Sequence, residues 1–193
     1  MKKLVFINAC IRKEESRTLQ IAKTLLTVLQ QRYEITEIDL SDHPLPPITA
    51  KLLQERGAHG ISKEDTILGK LVADADRLVI AAPFWDMSFP SVLKVFLEHI
   101  SVPGITFQNN EDGTTRGNCR TKKLLYITTR GMNIQTDSPL DQGSSYLRAL
   151  SWLWGIDQLQ TIAACGMDVH DSNTVAKLIK EATDEGLRIC EEF

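Results

Sequence analysis

Short apolar runs alternate with stretches whose apolar residues recur every three or four positions, from one end of the 193-residue chain to the other. Residues 4–7 (Leu-Val-Phe-Ile) form an unbroken apolar run, as expected of a parallel strand buried on both faces. Residues 18–32 place Leu19, Ala22, Leu25, Leu26 and Leu29 along one helical face. A second strand is predicted over 34–40. It is closed by 41–47, where Pro44, Pro46 and Pro47 forbid regular structure. Short helices are predicted around 50–56 and 63–75, a third strand over 77–82, and a helix over 91–100. The last carries Val92, Leu93, Phe96, Leu97 and Ile100 on one face. Gly104, Gly113 and Gly117 punctuate a polar stretch containing an Ile-Thr-Phe β signal, which reads as a hairpin-like excursion from the sheet edge or top. A fourth strand over 123–128, an aromatic-rich helix over 144–154 and a fifth strand over 159–164 follow. Asp171, Ser172 and Asn173 then offer N-caps for a last helix bearing Val175, Leu178, Ile179, Ala182 and Ile189.

Five strands, each followed by helix, predict an α/β fold: a doubly wound parallel sheet with helices on both faces, in one domain spanning residues 1–193. Strand order 2-1-3-4-5 puts the switch point between strands 1 and 3, so the loops after strands 1, 3 and 4 converge on one crevice.

Each of those loops carries candidate chemistry. The first, 8–17, has no glycine, which excludes a dinucleotide-binding turn or a Walker A loop. It ends in Ser16-Arg17-Thr18 at a helix start, where N–H groups, two hydroxyls and the helix dipole form an anion site. Arg12 and Arg17 could add charge-assisted bonds; alternatively Ser16 simply caps the helix. The second loop opens at Pro83 and continues Phe84-Trp85-Asp86-Met87 before Pro90. Its aromatic and thioether side chains suit a flat π system, although aromatics are also common in cores. The third, Thr128-Thr129-Arg130-Gly131-Met132, surrounds a glycine that permits close backbone approach with two hydroxyls and an arginine. An ordinary turn with a solvated arginine is the competing reading.

Charge changes the picture little. The net charge of −3 offers nothing to nucleic acid or an anionic membrane, and no segment reaches the length of a membrane span. Cys10, Cys119, Cys165 and Cys190 form no CxxC and sit at no metal-ligand spacing. Without a secretory signal they imply a reducing cytoplasm. The start, Met-Lys-Lys with an apolar run before Ala9-Cys10, is too short for a lipoprotein signal. His43, His59, His99 and His170 are scattered, with His99 expected as a surface residue stabilised by its helix end. Cys10 lacks the C-x5-R spacing of a phosphatase loop and is expected as a buried thiol.

Four stretches carry a family resemblance. They are the strand-loop-helix with Ser16-Arg17-Thr18; the segment AAPFWDMSFPSVLKVFLEHI; Gly104-Ile-Thr-Phe107 with its excursion; and residues 124–132. Together they resemble the flavodoxin-like NAD(P)H:quinone oxidoreductases, particularly the FMN-dependent NADH-azoreductase branch. The resemblance implies one FMN per subunit. Ser16, Arg17 and Thr18 would hold its phosphate. Pro83, Phe84, Trp85, Asp86 and Met87 would wrap the ring, and Thr129, Arg130, Gly131 and Met132 would contact its pyrimidine end. It also implies a homodimer whose partner completes the site wall, with Tyr146, Trp152 and Trp154 as candidates. Three positions depart from the family pattern: Ala9 replaces a phosphate-binding serine, Asp86 an asparagine, and Met132 a second glycine. The implied activity is a two-electron reductase, with NADH or NADPH as donor and a quinone, azo or nitro acceptor, in a ping-pong scheme. No catalytic side chain and no metal are called for. A flavodoxin-type electron carrier and a flavin-free binding protein on the same fold remain the alternatives.

Overall fold

The computed structural model describes residues 1–193. Strands β1 (Lys2–Asn8), β2 (Tyr33–Asp39), β3 (Arg77–Ala81), β6 (Lys123–Thr129) and β7 (Gln158–Ala164) form one parallel sheet in the order β2-β1-β3-β6-β7. This is the predicted 2-1-3-4-5 order once β6 and β7 are counted as the fourth and fifth strands. The remaining two, β4 (Phe107–Asn109) and β5 (Thr115–Gly117), pair antiparallel with each other.

The apolar runs of the central strands are continuous because successive residues serve opposite faces. Val5, Ile7, Leu78 and Ile80 enter one core with α3 (Lys63–Ala73), α4 (Ser91–Ile100) and α5 (Gln142–Trp154). Leu4, Phe6, Val79 and Ala81 enter the other with α1 (Arg17–Leu29) and α6 (Ser172–Glu192). Helix starts follow local chemistry: Ser16, Ser62, Asp141 and Asp171 each accept a backbone N–H in the first turn that follows. The proline-rich segment leads, as expected, into an irregular stretch before α2 (Ala50–His59).

Three expectations are corrected. The hairpin lies at neither the sheet edge nor the crevice end but at the opposite end, where α4 finishes and β6 begins. There Gly117 lies so close to the end of α5 that a Cβ would stand 2.0 Å from the Gly155 nitrogen, and the Cys119 N–H donates to the Trp154 carbonyl at 3.1 Å. His99 is buried rather than on the surface. Its ring nitrogens face Asp65 Oδ1 at 2.7 Å and the Pro46 carbonyl at 2.8 Å, while Arg56 donates to the other Asp65 oxygen at 2.8 Å. That cluster ties α2, α3, α4 and the proline-rich segment together. Trp154 is fully buried, its indole N–H reaching Ser101 Oγ at 3.3 Å, so it forms core and no wall for a partner. No helix is long and apolar enough to cross a membrane.

Candidate functional site

The carboxyl ends of β1, β3, β6 and β7 come into register near Asn8, Ala81, Thr129 and Ala164. A cleft of about 250 Å³ opens above them, near the lower limit of the roughly 300–1,000 Å³ usual for small-molecule sites. Its position beside the β1/β3 switch point is where an open α/β sheet receives a ligand.

The loop after β1 forms one end. Ser16 Oγ accepts the Leu19 N–H at 3.3 Å, so its hydroxyl caps α1. Thr18 is buried and its hydroxyl pairs with that of Thr129 at 2.7 Å, joining the first loop to the end of β6. The N–H groups of Arg17 and Thr18 meet no acceptor in the protein. They lie at the start of a 13-residue helix, whose dipole favours an anion there. Arg12 and Arg17 line the same end together with Glu15 and Asp168. Arg12 pairs with Glu15 at 3.2 Å, and Arg17 reaches Asp168 Oδ1 at 3.4 Å and the Met167 carbonyl at 3.3 Å. Glu14 turns away to Lys23, 2.6 Å distant.

The loop after β3 forms the other end. The Ala82 N–H donates to the Ile127 carbonyl and the Phe84 N–H to the Thr129 carbonyl, each at 3.0 Å, extending the β3–β6 pairing two steps past the strand. Trp85 and Ser88 then exchange backbone hydrogen bonds of 3.1 and 2.8 Å across a tight turn. Its two central residues, Asp86 and Met87, have φ of 47° and 67°. Such a turn needs left-handed backbone at both centres, which Asp tolerates and Met adopts only under strain. The turn holds the Trp85 ring at the cleft with 43% of the residue exposed.

Of the sequence candidates, Ser16, Arg17, Pro83, Phe84, Trp85, Thr129 and Gly131 line the cleft. Thr18, Asp86, Met87, Arg130 and Met132 do not. Asp86 and Met87 form the centre of the turn and are exposed. Met132 is largely exposed. Arg130 is turned inward and fully buried. Its guanidinium donates to the Ile134 carbonyl at 2.9 Å and to Asp141 Oδ2 at 2.8 Å, and lies 5.1 Å from the centroid of the Phe84 ring. It props the aromatic loop from beneath. Burial pushes the Asp141 carboxyl up, but bonds from Ser144 and the Arg130 charge outweigh it and hold the group below its ordinary value.

Glu15, Met167 and Asp168 were not among the sequence candidates. Residues 167 and 168 follow β7, and only the strand order, which sets β7 beside β6, brings them here. Gly131 matters because of them: a Cβ at 131 would stand 2.2 Å from Asp168 Oδ2, and the Asp168 N–H donates to the Gly131 carbonyl at 3.0 Å. Cys10 lies beneath the cleft, its thiol pushed up to about 11, chiefly by burial. A thiol so raised stays protonated and is a poor nucleophile, and its hydrogen is directed at the Ala81 carbonyl, 3.6 Å from the sulfur.

Fold and crevice thus define an open α/β protein whose cleft joins an exposed tryptophan to the start of a helix. A family model described as the flavodoxin-like fold matches residues 2–186. FMN-dependent NADH:quinone oxidoreductases of Clostridium perfringens and Clostridium beijerinckii are 32% and 31% identical to the chain over 203 residues, covering the whole of both proteins in each comparison. Among solved structures, an azoreductase from Bacillus anthracis superposes with a TM-score of 0.86 at 18% identity over all of both chains. An FMN-dependent NADH-azoreductase from the same species, in complex with FMN, gives 0.80 at 23% identity over 98% of this chain and all of that one. At those identities the likeness speaks for the fold. The chain belongs to the flavodoxin-like family, alongside the FMN-dependent NADH:quinone oxidoreductases.

Proposed function

We propose that the protein is an FMN-dependent NADH oxidoreductase that passes two electrons to a quinone or azo acceptor, and to nitro compounds. One observation carries this reading: a single cleft holds an exposed tryptophan at one end and unpartnered N–H groups at a helix start, with two arginines, at the other. A flat ring with an anionic tail matches that pairing, and the full-length relatives named for FMN and NADH support it. The donor set fits FMN. The N–H groups of Arg17 and Thr18, with Arg12 and Arg17, would hold its phosphate; Phe84 and Trp85 would flank its ring; Thr129 and Gly131 would meet its polar edge. Bound FMN would supply the two-electron chemistry. Trp85 would position the ring, and Phe84 and Pro83 would help keep water from it. One cleft shared by donor and acceptor in turn predicts ping-pong kinetics.

Residues 1–193 act as one domain in this proposal. Two copies would pair, with the exposed Trp152 (72% accessible) and Tyr146, which stacks edge-on against Phe89 at 5.5 Å, available to a partner. Four unpaired cysteines suit a reducing cytoplasm.

The test is anaerobic. Protein mixed with FMN should bleach the flavin band on adding NADH and recover it on adding a benzoquinone, and initial rates with both substrates varied should give parallel lines. Bleaching only in the presence of a second protein would point to an electron carrier, and intersecting lines would overturn the shared-cleft scheme.

A further inference from the structure

The cleft is lined by cations at one end only. Arg12 and Arg17 lie at the start of α1, beside Glu15 and Asp168, where the phosphate of a bound FMN would take up their charge. Around the other end the exposed side chains are the apolar Trp85, Met87 and Met132, together with Asp86. Asp86 is the first central residue of the turn that starts at Trp85. Its carboxylate therefore lies within about a Debye length (~8 Å) of Trp85. The arginines and lysines of the elements that adjoin the turn are engaged elsewhere. The turn runs directly into α4, where Lys94 pairs with Glu98. It meets α5 through the Gln142 N–H, 3.0 Å from the Met87 carbonyl, and there Arg148 pairs with Asp137. Arg130, past the end of β6, is buried against Asp141. The Trp85 end of the cleft thus presents apolar surface and one negative charge, with no cation to offset it.

Resting on the oxidoreductase reading above, we infer that this end selects uncharged or cationic aromatic acceptors over sulfonated or carboxylated ones, and that Asp86 is the specificity-determining residue. A planar acceptor near Trp85 gains contact with the ring and with the thioethers of Met87 and Met132. A sulfonate or carboxylate on that acceptor finds no guanidinium or ammonium group to receive it. It meets the Asp86 carboxylate nearby and the flavin phosphate farther off, and both repel it. The dihydronicotinamide ring of the donor is itself uncharged, so the same end admits it. Asp86 acts through space on the choice of acceptor and has no part in the electron transfer, so its effect weakens as salt rises.

Two acceptors that differ by one sulfonate, 1,2-naphthoquinone and its 4-sulfonate, test the inference. Oxidised, FMN-loaded, full-length protein is titrated with each, followed by the flavin absorption band, which reads binding without turnover. The rates at which the two reoxidise the pre-reduced protein are then compared. At low ionic strength the neutral quinone should bind and react about tenfold better, although the electron-withdrawing sulfonate makes its partner the stronger oxidant. The gap should narrow in about 0.5 M salt. Asp86→Asn, which keeps the turn, should shrink the neutral-to-sulfonate ratio about three- to fivefold, the order expected for one solvent-screened charge several ångströms away. Asp86→Glu should leave the ratio as it is. Equal affinity for the two quinones, or a ratio that Asp86→Asn does not move, overturns the inference and leaves the oxidoreductase reading intact. If the protein takes up no FMN, or if neither quinone reoxidises it, the inference falls together with that reading.

Discussion

Two arginine–aspartate pairs flank the cleft, one buried beneath its aromatic loop and one at its rim, and they have opposite physical characters. At the aromatic end Arg130 and Asp141 are both fully buried and 2.8 Å apart. At the end formed by the start of α1, Arg17 and Asp168 are 3.4 Å apart, with side chains 44% and 75% exposed. Water screens the second pair and lets it rearrange around a ligand. The first pair cannot rearrange: each charge left without its partner would be stranded in a low dielectric. The buried pair therefore fixes the support beneath Phe84, whereas the exposed pair at the rim is free to adjust.

Removing each arginine should separate the two ends most sharply. Arg130→Ala leaves Asp141 buried and unpaired and should cost about 3–5 kcal/mol of stability. Arg17→Ala should cost under about 1 kcal/mol while weakening FMN binding. Urea denaturation of the two variants measures both, and similar losses would erase the distinction.

A smaller effect should come with acid. The Asp141 carboxyl is held below its ordinary value. Burial likewise pushes Asp65 up, and its bonds to His99, Ser62 and Arg56 bring it below the ordinary range. A depressed carboxylate contributes stability that is present above its unfolded-state pKa and lost as pH falls through its folded-state value. Melting temperature should therefore drop below the ordinary carboxylate range, and Asp141→Asn, less stable at neutral pH, should show a shallower drop. An unchanged slope in that variant would remove Asp141 from the account.

The smallest effects belong to the turn. Met87 at φ 67° carries strain of about 1 kcal/mol. Met87→Gly should raise the melting temperature slightly, part of the relief being offset by the freer unfolded chain. Asp86→Asn, which keeps the turn, should leave both stability and flavin affinity unchanged. A tighter flavin complex in Asp86→Asn would show that the carboxylate faces the ligand after all.

The strands, helices and their order were legible because their causes are local. Apolar residues at spacing two or three to four report which face is covered, and five strand-helix repeats admit few topologies. The cleft was legible to the extent that it is built from what directly follows a strand. Pro83, Phe84 and Trp85 had to emerge at the carboxyl end of β3, and Ser16 and Arg17 had to open α1. What a polar side chain does after that depends on a partner far along the chain, and no local pattern encodes it. Arg130 turns inward because the buried Asp141 carboxylate receives its guanidinium. His99 is buried because Asp65, Arg56 and the Pro46 carbonyl converge on it from three other segments. The hairpin packs at the far end because Gly117 can approach Gly155. Asp168 reaches the cleft only because β7 lies beside β6. The sequence by itself thus determined the sheet, its crevice and the residues at its lip. The tertiary structure alone decided which charges face the ligand and which hold the protein together, because burial converts an ion pair from a solvated, adjustable contact into a fixed support.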